Sequence, residues 1–457
     1  MRVRAPLWRP LSLLVPLLFL LLGALAPGLA LAQGARPAAE TPAGALPAFP
    51  GAEGYGALTP GGRGGQVIAV TSLADRGPGS LREALEASGP RIVVFRVGGV
   101  IRLASPLEVT EPYLTIAGQT APGQGIVLRG ADLRISTHDV IVRGLRLRGG
   151  GLVISGPDRG GAPARNVIVD QSSISWAASE NIAVATAQDV TIQWSIISES
   201  LSGARPGQGS ALLLAESGHR VSVHHNLLAH NSYRNPLIKG DTEVAFASNL
   251  IYNWGHGAIV FEDEAGRGPT RSVITGNFFK SGPGSLTDAA VLISKNTDSR
   301  SEIFVADNGG DSRVKADLPL LAASAPLTEP LIPVTGGPPA QLEALVLAGA
   351  GARGPARDSI DARVVREVRR VEGSFIGRPD EVGGWAALAT WDGGEPLADS
   401  DADGMPDSFE TAHGLNPHDA ADGASQAPSG YTWVEEYINS LLPAPSRSLV
   451  HLPLLGG

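Results

Sequence analysis

The sequence predicts an all-β fold: a right-handed parallel β-helix with a short α-helical calcium-binding module at its C-terminal end. Three observations carry that expectation. A short β-branched segment with period-two alternation, closed by a turn residue, recurs between residues 92 and 277. The ends of successive copies lie 22 to 31 residues apart, the irregular period of a solenoid whose coils share one core. Near the C-terminus, the loop DSDADGMPDSFE places oxygen-bearing residues at the spacing of a calcium loop.

Composition agrees with strands and tight turns rather than a helical bundle. Among 457 residues there are 58 glycines and 35 prolines, and aromatics make up 5%. Apolar residues reach 43%, enough to bury a sizeable core. There is no cysteine, which excludes disulfides and thiolate metal sites. The formal net charge of -9 argues against a nucleic-acid partner, because phosphate binding needs a basic surface. It leaves room for an acidic ligand at a locally basic groove.

Taken in order, residues 1–32 read as a secretory signal peptide. MRVRAPLWR is its basic region, LSLLVPLLFLLLGAL its apolar region, and ALA at 30–32 its small-residue cleavage pattern. An uncleaved anchor is the competing reading, since the apolar run is long. No other stretch is apolar enough to span a bilayer, so the mature chain is expected to be secreted, extracellular and without a membrane span. Residues 33–47 are a Pro/Ala-rich linker.

The β-helix is expected over 48–310. Gly-rich turns lead into QVIAVTSL, and Ser80 with Glu83 three residues on forms a capping box for a short helix. The repeated segments are IVVFRV (92–97), LTIAGQ (114–119), VIVRGL (140–145), VIVDQS (167–172), VTIQWS (190–195), VSVHHN (221–226), VAFASN (244–249) and SVITGN (272–277). A propeller would need four strands in each repeat of about forty residues, and these copies do not supply them. Asn226, Asn249 and Asn277 are expected to stack in register and exchange side-chain hydrogen bonds. Trp176, Trp194 and Trp254 read as wall or core aromatics before sugar platforms. Strict alternation sends His224 and His225 to opposite faces, against their sharing one ion. Arg146 and Arg148 alternate onto one face, lining either an anionic groove or a solvated surface.

Residues 311–396 read as an irregular extension, with a short helix at DSIDARVVREVRR, that lies across the solenoid or covers its end. Residues 397–445 form the calcium module and 446–457 a tail. Within the module, Asp399, Asp401, Asp403, Asp407 and Glu410 take loop positions one, three, five, nine and twelve. Gly404 takes the sharp turn at six, and Met405 offers its carbonyl at seven. These acidic side chains would repel one another without an ion. The following GLNPHDAADG…GYTWVEEYINSLL resembles the second half of dockerin- or thrombospondin type 3-like calcium modules. Its own acidic loop is eroded, so one good ion site is predicted, structural rather than catalytic.

VDQSSISWAASENIAV, IQWSIISESL, VSVHHNLLAHNSYRNPLIKG and FPGAEGYGALTPGGRGG together resemble secreted pectate lyases, the bacterial branch of polysaccharide lyase family 1, over residues 48 to 285. The resemblance implies a pectin-lyase-like solenoid, calcium as cofactor, and an acidic polysaccharide, pectate or a related uronan, as substrate. It also implies a monomer. Family members carry Arg-x-Pro-x-x-Arg after an HHN strand; here Arg234 matches the base, and Lys239 stands where the second, substrate-binding arginine is usual. The implied reaction is β-elimination. A cation on the uronate carboxylate stabilises the charge that develops when the C5 proton leaves. An arginine is ordinarily charged, so desolvation and neighbouring cations would have to favour its base form.

The resemblance further implies calcium ligands on neighbouring coils: Asp158 in SGPDRGG, Glu180 in SWAASE, and Asp170 in VIVDQS. Ser179 and Gln171 depart from the acidic residue and histidine usual in the family. A loop usual in the family is replaced by SGARPGQGSALLLAESG, where Arg205 could supply the missing substrate-binding cation. These departures keep a second reading open: a catalytically impaired β-helix that binds surface glycans or serves adhesion.

Overall fold

The computed structural model describes residues 46–157, 161–201, 209–319, 322–354 and 356–445. The signal peptide, the tail, Asp158 and Arg205 lie outside these residues. Within them the chain winds as a parallel β-helix with three faces. The first face stacks strands from Gln66–Val70 to Glu302–Ala306. The second is a nine-stranded sheet from Gly99–Arg102 to Gly309–Gly310. The third runs from Leu107–Val109 to Arg313–Ala316. Neighbouring strands pair in parallel, one coil apart. Strands Glu180–Gln193 and Ser210–His224 each run from the third face into the first, which joins those two faces into one 17-stranded sheet.

From Gly144 onward each coil closes its first corner in the same way. Gly144, Gln171, Trp194, His225, Ser248, Gly276 and Asp307 all have positive φ, the left-handed turn that carries the chain from the first face to the second. In the last four of these coils the next residue is an asparagine that bonds up and down the stack. Asn226 Nδ2 donates to Asn249 Oδ1 at 3.0 Å, Asn249 to Asn277 at 3.1 Å, and Asn277 to Asn308 at 3.0 Å. Each acceptor oxygen also takes the backbone N–H of the asparagine one coil before it. The ladder expected at three positions therefore extends to Asn308. Inward positions of the first face, such as Val142, Val169, Ile192, Val223, Phe246 and Ile274, fill one continuous core. β-branched residues suit it because they pack on a pleated surface without rotamer choice to lose. Trp176, Trp194 and Trp254 are buried, as wall and core aromatics.

The extension after residue 310 is more regular than expected. Helices Pro339–Gly349 and Ser359–Arg370 lie over the second face, packing Val346, Leu347, Val364 and Val368 on Leu227, Leu250 and Tyr252. Arg146 and Arg148 line neither a groove nor a solvated surface. Both are fully buried: Arg146 Nε donates to Asp358 Oδ2 at 2.8 Å, and Arg148 Nη2 to Asp361 Oδ1 at 2.7 Å. The C-terminal helices Asp407–His413 and Trp433–Leu441 sit against the first face, where Met405, Val434 and Ile438 pack on Ile92, Val94 and Ala117. The short helix Leu81–Glu86 has Ser80 as its cap, and Glu83 accepts from Gly79 N at 2.7 Å.

Replacing Asn249 with Ala strips partners from two buried asparagines at once. The expected loss is about 1–3 kcal/mol for each group left unsatisfied, read as a lower thermal midpoint. An unchanged midpoint would show that the ladder is not what holds neighbouring coils in register.

Candidate active site and carboxylate cluster

The third face is the least covered. Glu108 and Arg134 are exposed, and Val153, Ala183 and Leu213 are half-buried. At its edge the chain enters strand Leu237–Ile238 through Tyr233-Arg234-Asn235-Pro236. A network of buried amides fixes that approach. Asn231 Oδ1 accepts from Ser200 N at 2.9 Å, and Asn231 Nδ2 donates to Ile197 O at 2.9 Å. Asn235 Nδ2 donates to Asn231 O at 2.9 Å, and Asn181 Nδ2 to Ser198 O at 3.0 Å. Sequence reasoning missed Asn181, Asn231 and Asn235. Polar residues inside strand and turn segments carry a weak signal until their burial is known.

Arg234 has positive φ and reaches outward from this network, its side chain 25% exposed. Its guanidinium forms an ion pair with Glu180, whose other oxygen takes the Ser179 hydroxyl. The guanidinium also lies 5.4 Å from the centre of the Tyr233 ring. The Tyr233 hydroxyl is 3.4 Å from Glu262, and burial, with Glu262 adding, pushes the phenol above its ordinary value. Lys239 follows the core residue Ile238, so alternation turns it outward, and its ammonium makes no ion pair among the described residues. The structure thus brings Arg234 and Glu180 together, with Lys239 five residues on along the same strand entry.

Asp170 does not join them. It lies on the first face, 1% exposed, with Oδ2 accepting from Arg143 Nε at 2.9 Å and Oδ1 from Gln193 Nε2 at 2.8 Å. Arg143 in turn bonds Asn439 and Leu442, so Asp170 anchors the C-terminal helix rather than a groove cation. A carboxylate committed to a buried guanidinium has no charge to offer elsewhere. Opposite faces were also the wrong expectation for His224 and His225: the left-handed φ of His225 breaks the alternation, and the two Nδ1 atoms lie 2.9 Å apart.

Among the described residues, Glu180 is the one carboxylate paired with Arg234. A single carboxylate with a neighbouring hydroxyl is too few for a calcium caged by protein alone, which takes six to eight oxygens.

The C-terminal loop is different. Carboxylate oxygens of Asp399, Asp401 and Asp403 lie within 4.8 Å of one another, and so do those of Asp403, Glu410 and Asp422. Both oxygens of Glu410 and one each of Asp399, Asp401, Asp403 and Asp422 are buried without a hydrogen-bond donor. Asp407, expected at loop position nine, instead accepts from Ser400 N at 2.7 Å and Ser400 Oγ at 2.8 Å. Asp422, from the eroded second loop, takes a place in the cluster that the sequence did not reveal. Burial first, then the neighbouring carboxylates, push Asp403 up to about 6 and Glu410 up to about 7. Arg96 compensates part of this charge, 3.3 Å from Asp399.

The site is therefore an arginine paired with a glutamate at the rim of the open face of a parallel β-helix. Comparison with known proteins supplies the class. The chain is 37% identical over 415 residues to the protein named "Probable pectate lyase C" of Aspergillus fumigatus, covering 88% of this chain and 95% of that one. It is 36% identical over 412 residues to the protein of the same name from Aspergillus terreus, with the same coverage. The chain belongs to the pectate lyase family and is a polysaccharide lyase. No protein-family model matches it. The crystal structure of jun a 1, the major allergen from cedar pollen, shares the fold with a TM-score of 0.51 at 18% identity, covering 66% of this chain and 92% of that one.

A carboxyl group whose folded pKa is raised binds its proton more tightly in the folded chain. The stability it contributes is present below the ordinary value of 4.5 and is lost as pH rises through about 7 for Glu410. In the presence of a chelator, the thermal midpoint is therefore expected to fall between about pH 5 and pH 8. Glu410→Gln should flatten that fall. An equally steep fall in the variant would remove Glu410 as its source.

Proposed function

We propose that this chain is a secreted pectate lyase that cleaves polygalacturonate or a related uronan by calcium-assisted β-elimination. Relatives named as pectate lyases, matched over most of both chains, favour this enzyme over the impaired glycan-binding alternative. The observation that carries the mechanism is the guanidinium of Arg234, held at the rim of the open face beside Glu180. Assignment to the bacterial secreted branch rests on the motifs, and secretion on the signal peptide. Among the described residues no helix is long and apolar enough to cross a membrane.

In this reading the uronan lies along the third face. While Glu180 pairs with it, Arg234 is an ion-pair partner and not a base. Glu180 would hold calcium together with substrate carboxylates, and the ion would neutralise the carboxylate that acidifies the C5 proton. With Glu180 so engaged, Arg234 first gives up its own proton to solvent; the neutral guanidine then takes the C5 proton, the electron pair forms the C4–C5 double bond, and the C4–oxygen bond breaks. The departing oxygen takes a proton from solvent. Lys239 binds a neighbouring uronate carboxylate, and Tyr233 supports the arginine from below. The buried amides around Asn231 hold the arginine's backbone, so its placement costs no reorganisation during the reaction.

The mature enzyme, given polygalacturonate and calcium under alkaline conditions, should produce unsaturated ends that absorb in the ultraviolet. Arg234→Ala should lower kcat by about 10²–10⁴-fold with an unchanged thermal midpoint, whereas Lys239→Ala should act mainly on KM. Full activity in Arg234→Ala would remove the base from this scheme.

The C-terminal cluster is proposed as one structural calcium site of EF-hand type. Asp399, Asp401, Asp403 and Glu410 supply oxygens, Met405 its carbonyl, and Asp422 takes the role first assigned to Asp407. Calcium should raise the thermal midpoint of wild type. Asp422→Asn should lose most of that rise, while Asp407→Asn keeps it. The reverse ranking would restore Asp407 as the ligand. Asp403→Asn should retain the lyase rate at a temperature where it is folded, because this site packs on the first face, away from Arg234.

A further inference from the structure

Outside both sites, three buried ligand-type side chains converge where the amino-terminal strap crosses the first face. His224 ends strand Ser210–His224, and His225 turns the corner with φ of 56°. Glu53 arrives from the strap. One ligand atom from each, a ring nitrogen from the two histidines and a carboxylate oxygen from Glu53, lies within 4.8 Å of the others. The residues are 7%, 0% and 1% exposed for Glu53, His224 and His225.

His225 and Glu53 are held in place by their surroundings. The His225 ring stacks on Trp194, one coil below, with ring centres 4.4 Å apart. Glu53 accepts from Thr335 N at 3.0 Å and Thr335 Oγ1 at 2.9 Å, and its own N–H donates to Gln193 Oε1 at 3.0 Å. The two Nδ1 atoms share a hydrogen bond at 2.9 Å and would part by about 0.4 Å to reach the roughly 3.3 Å that separates two nitrogens at about 2.0–2.1 Å from a tetrahedral ion. Ligands oriented by outer-shell partners are the mark of a built metal site.

We propose that Glu53, His224 and His225 bind one divalent transition-metal ion of the zinc class. Two imidazoles and one carboxylate suit such an ion, whereas calcium takes oxygen ligands. Enclosure from solvent makes the ion structural, taken up as the chain folds. It would clamp two distant segments, the strap and the 224–225 corner, with the stretch around Thr335 tied in through Glu53. In a chain with no cysteine, this does the stapling that a disulfide does in other exported proteins. The proposal does not depend on the lyase mechanism.

The test is to refold the mature protein in chelator-treated buffer with zinc, remove free metal by gel filtration and measure retained zinc by mass spectrometry. Wild type is expected to retain about one zinc per chain, as is Asp403→Asn, which disables the C-terminal cluster. Glu53→Gln and His225→Gln are expected to lose it, together with the zinc-dependent rise in thermal midpoint. Wild type that retains no zinc, or variants that retain as much as wild type, would overturn the proposal and leave a hydrogen-bonded imidazole pair beside a carboxylate. If His225→Gln does not fold, cobalt(II) loaded into Asp403→Asn decides. Intense visible bands of a four- or five-coordinate nitrogen-ligated ion support the site; a weak octahedral oxygen-type spectrum overturns it.

Discussion

The constraint on which the structure depends is the corner between the first and second faces. Every coil must turn there at one residue, and that residue adopts a left-handed conformation from Gly144 to Asp307. For Trp194 or His225 such a turn costs energy that glycine would not incur. From His225 onward the asparagine after the turn offsets the cost by giving its amide to the next coil and its oxygen to the backbone of the coil before. Because the bonds run along the axis, a slip of one coil would break several of them at once. Register is thereby set for the strands on either side, and the core follows from it.

A three-faced solenoid must dispose of three outer surfaces, and this chain treats each differently. The first face receives the amino-terminal strap and the C-terminal helices, through Ile141 and Ile168 beneath the strap and Ile92 and Val94 beneath Met405. The second receives helices Pro339–Gly349 and Ser359–Arg370, held by two buried arginines on two aspartates. Such pairs add little net stability against apolar substitutes, but they specify one docking position, since any other leaves charges buried and unpaired. The third face is left to solvent. The proposed chemistry uses that face, where Arg234 and Glu180 meet.

Much of this was legible from residue order. The period-two segments located the first face almost to the residue, because alternation and β-branching are local properties of a buried strand. The Asn226–Asn249–Asn277 ladder was legible because its members end successive copies. The clustering of Asp399, Asp401 and Asp403 was legible because their spacing is itself a sequence pattern. The misses share a cause. Asp170, Arg146 and Arg148 look like site residues when read alone, and each is consumed by a partner more than twenty-five residues away. His224 and His225 were separated by a rule of alternation that fails where φ changes sign. Asp422 belongs to a loop too eroded to read as a ligand source.

The sequence by itself determined the solenoid and its period, since these rest on local propensity, and it singled out Arg234 through a motif carried within one coil. Only the tertiary structure decided which charges are spent and which remain available. That choice depends on burial and on partners brought together from distant coils, and neither is encoded at any single position.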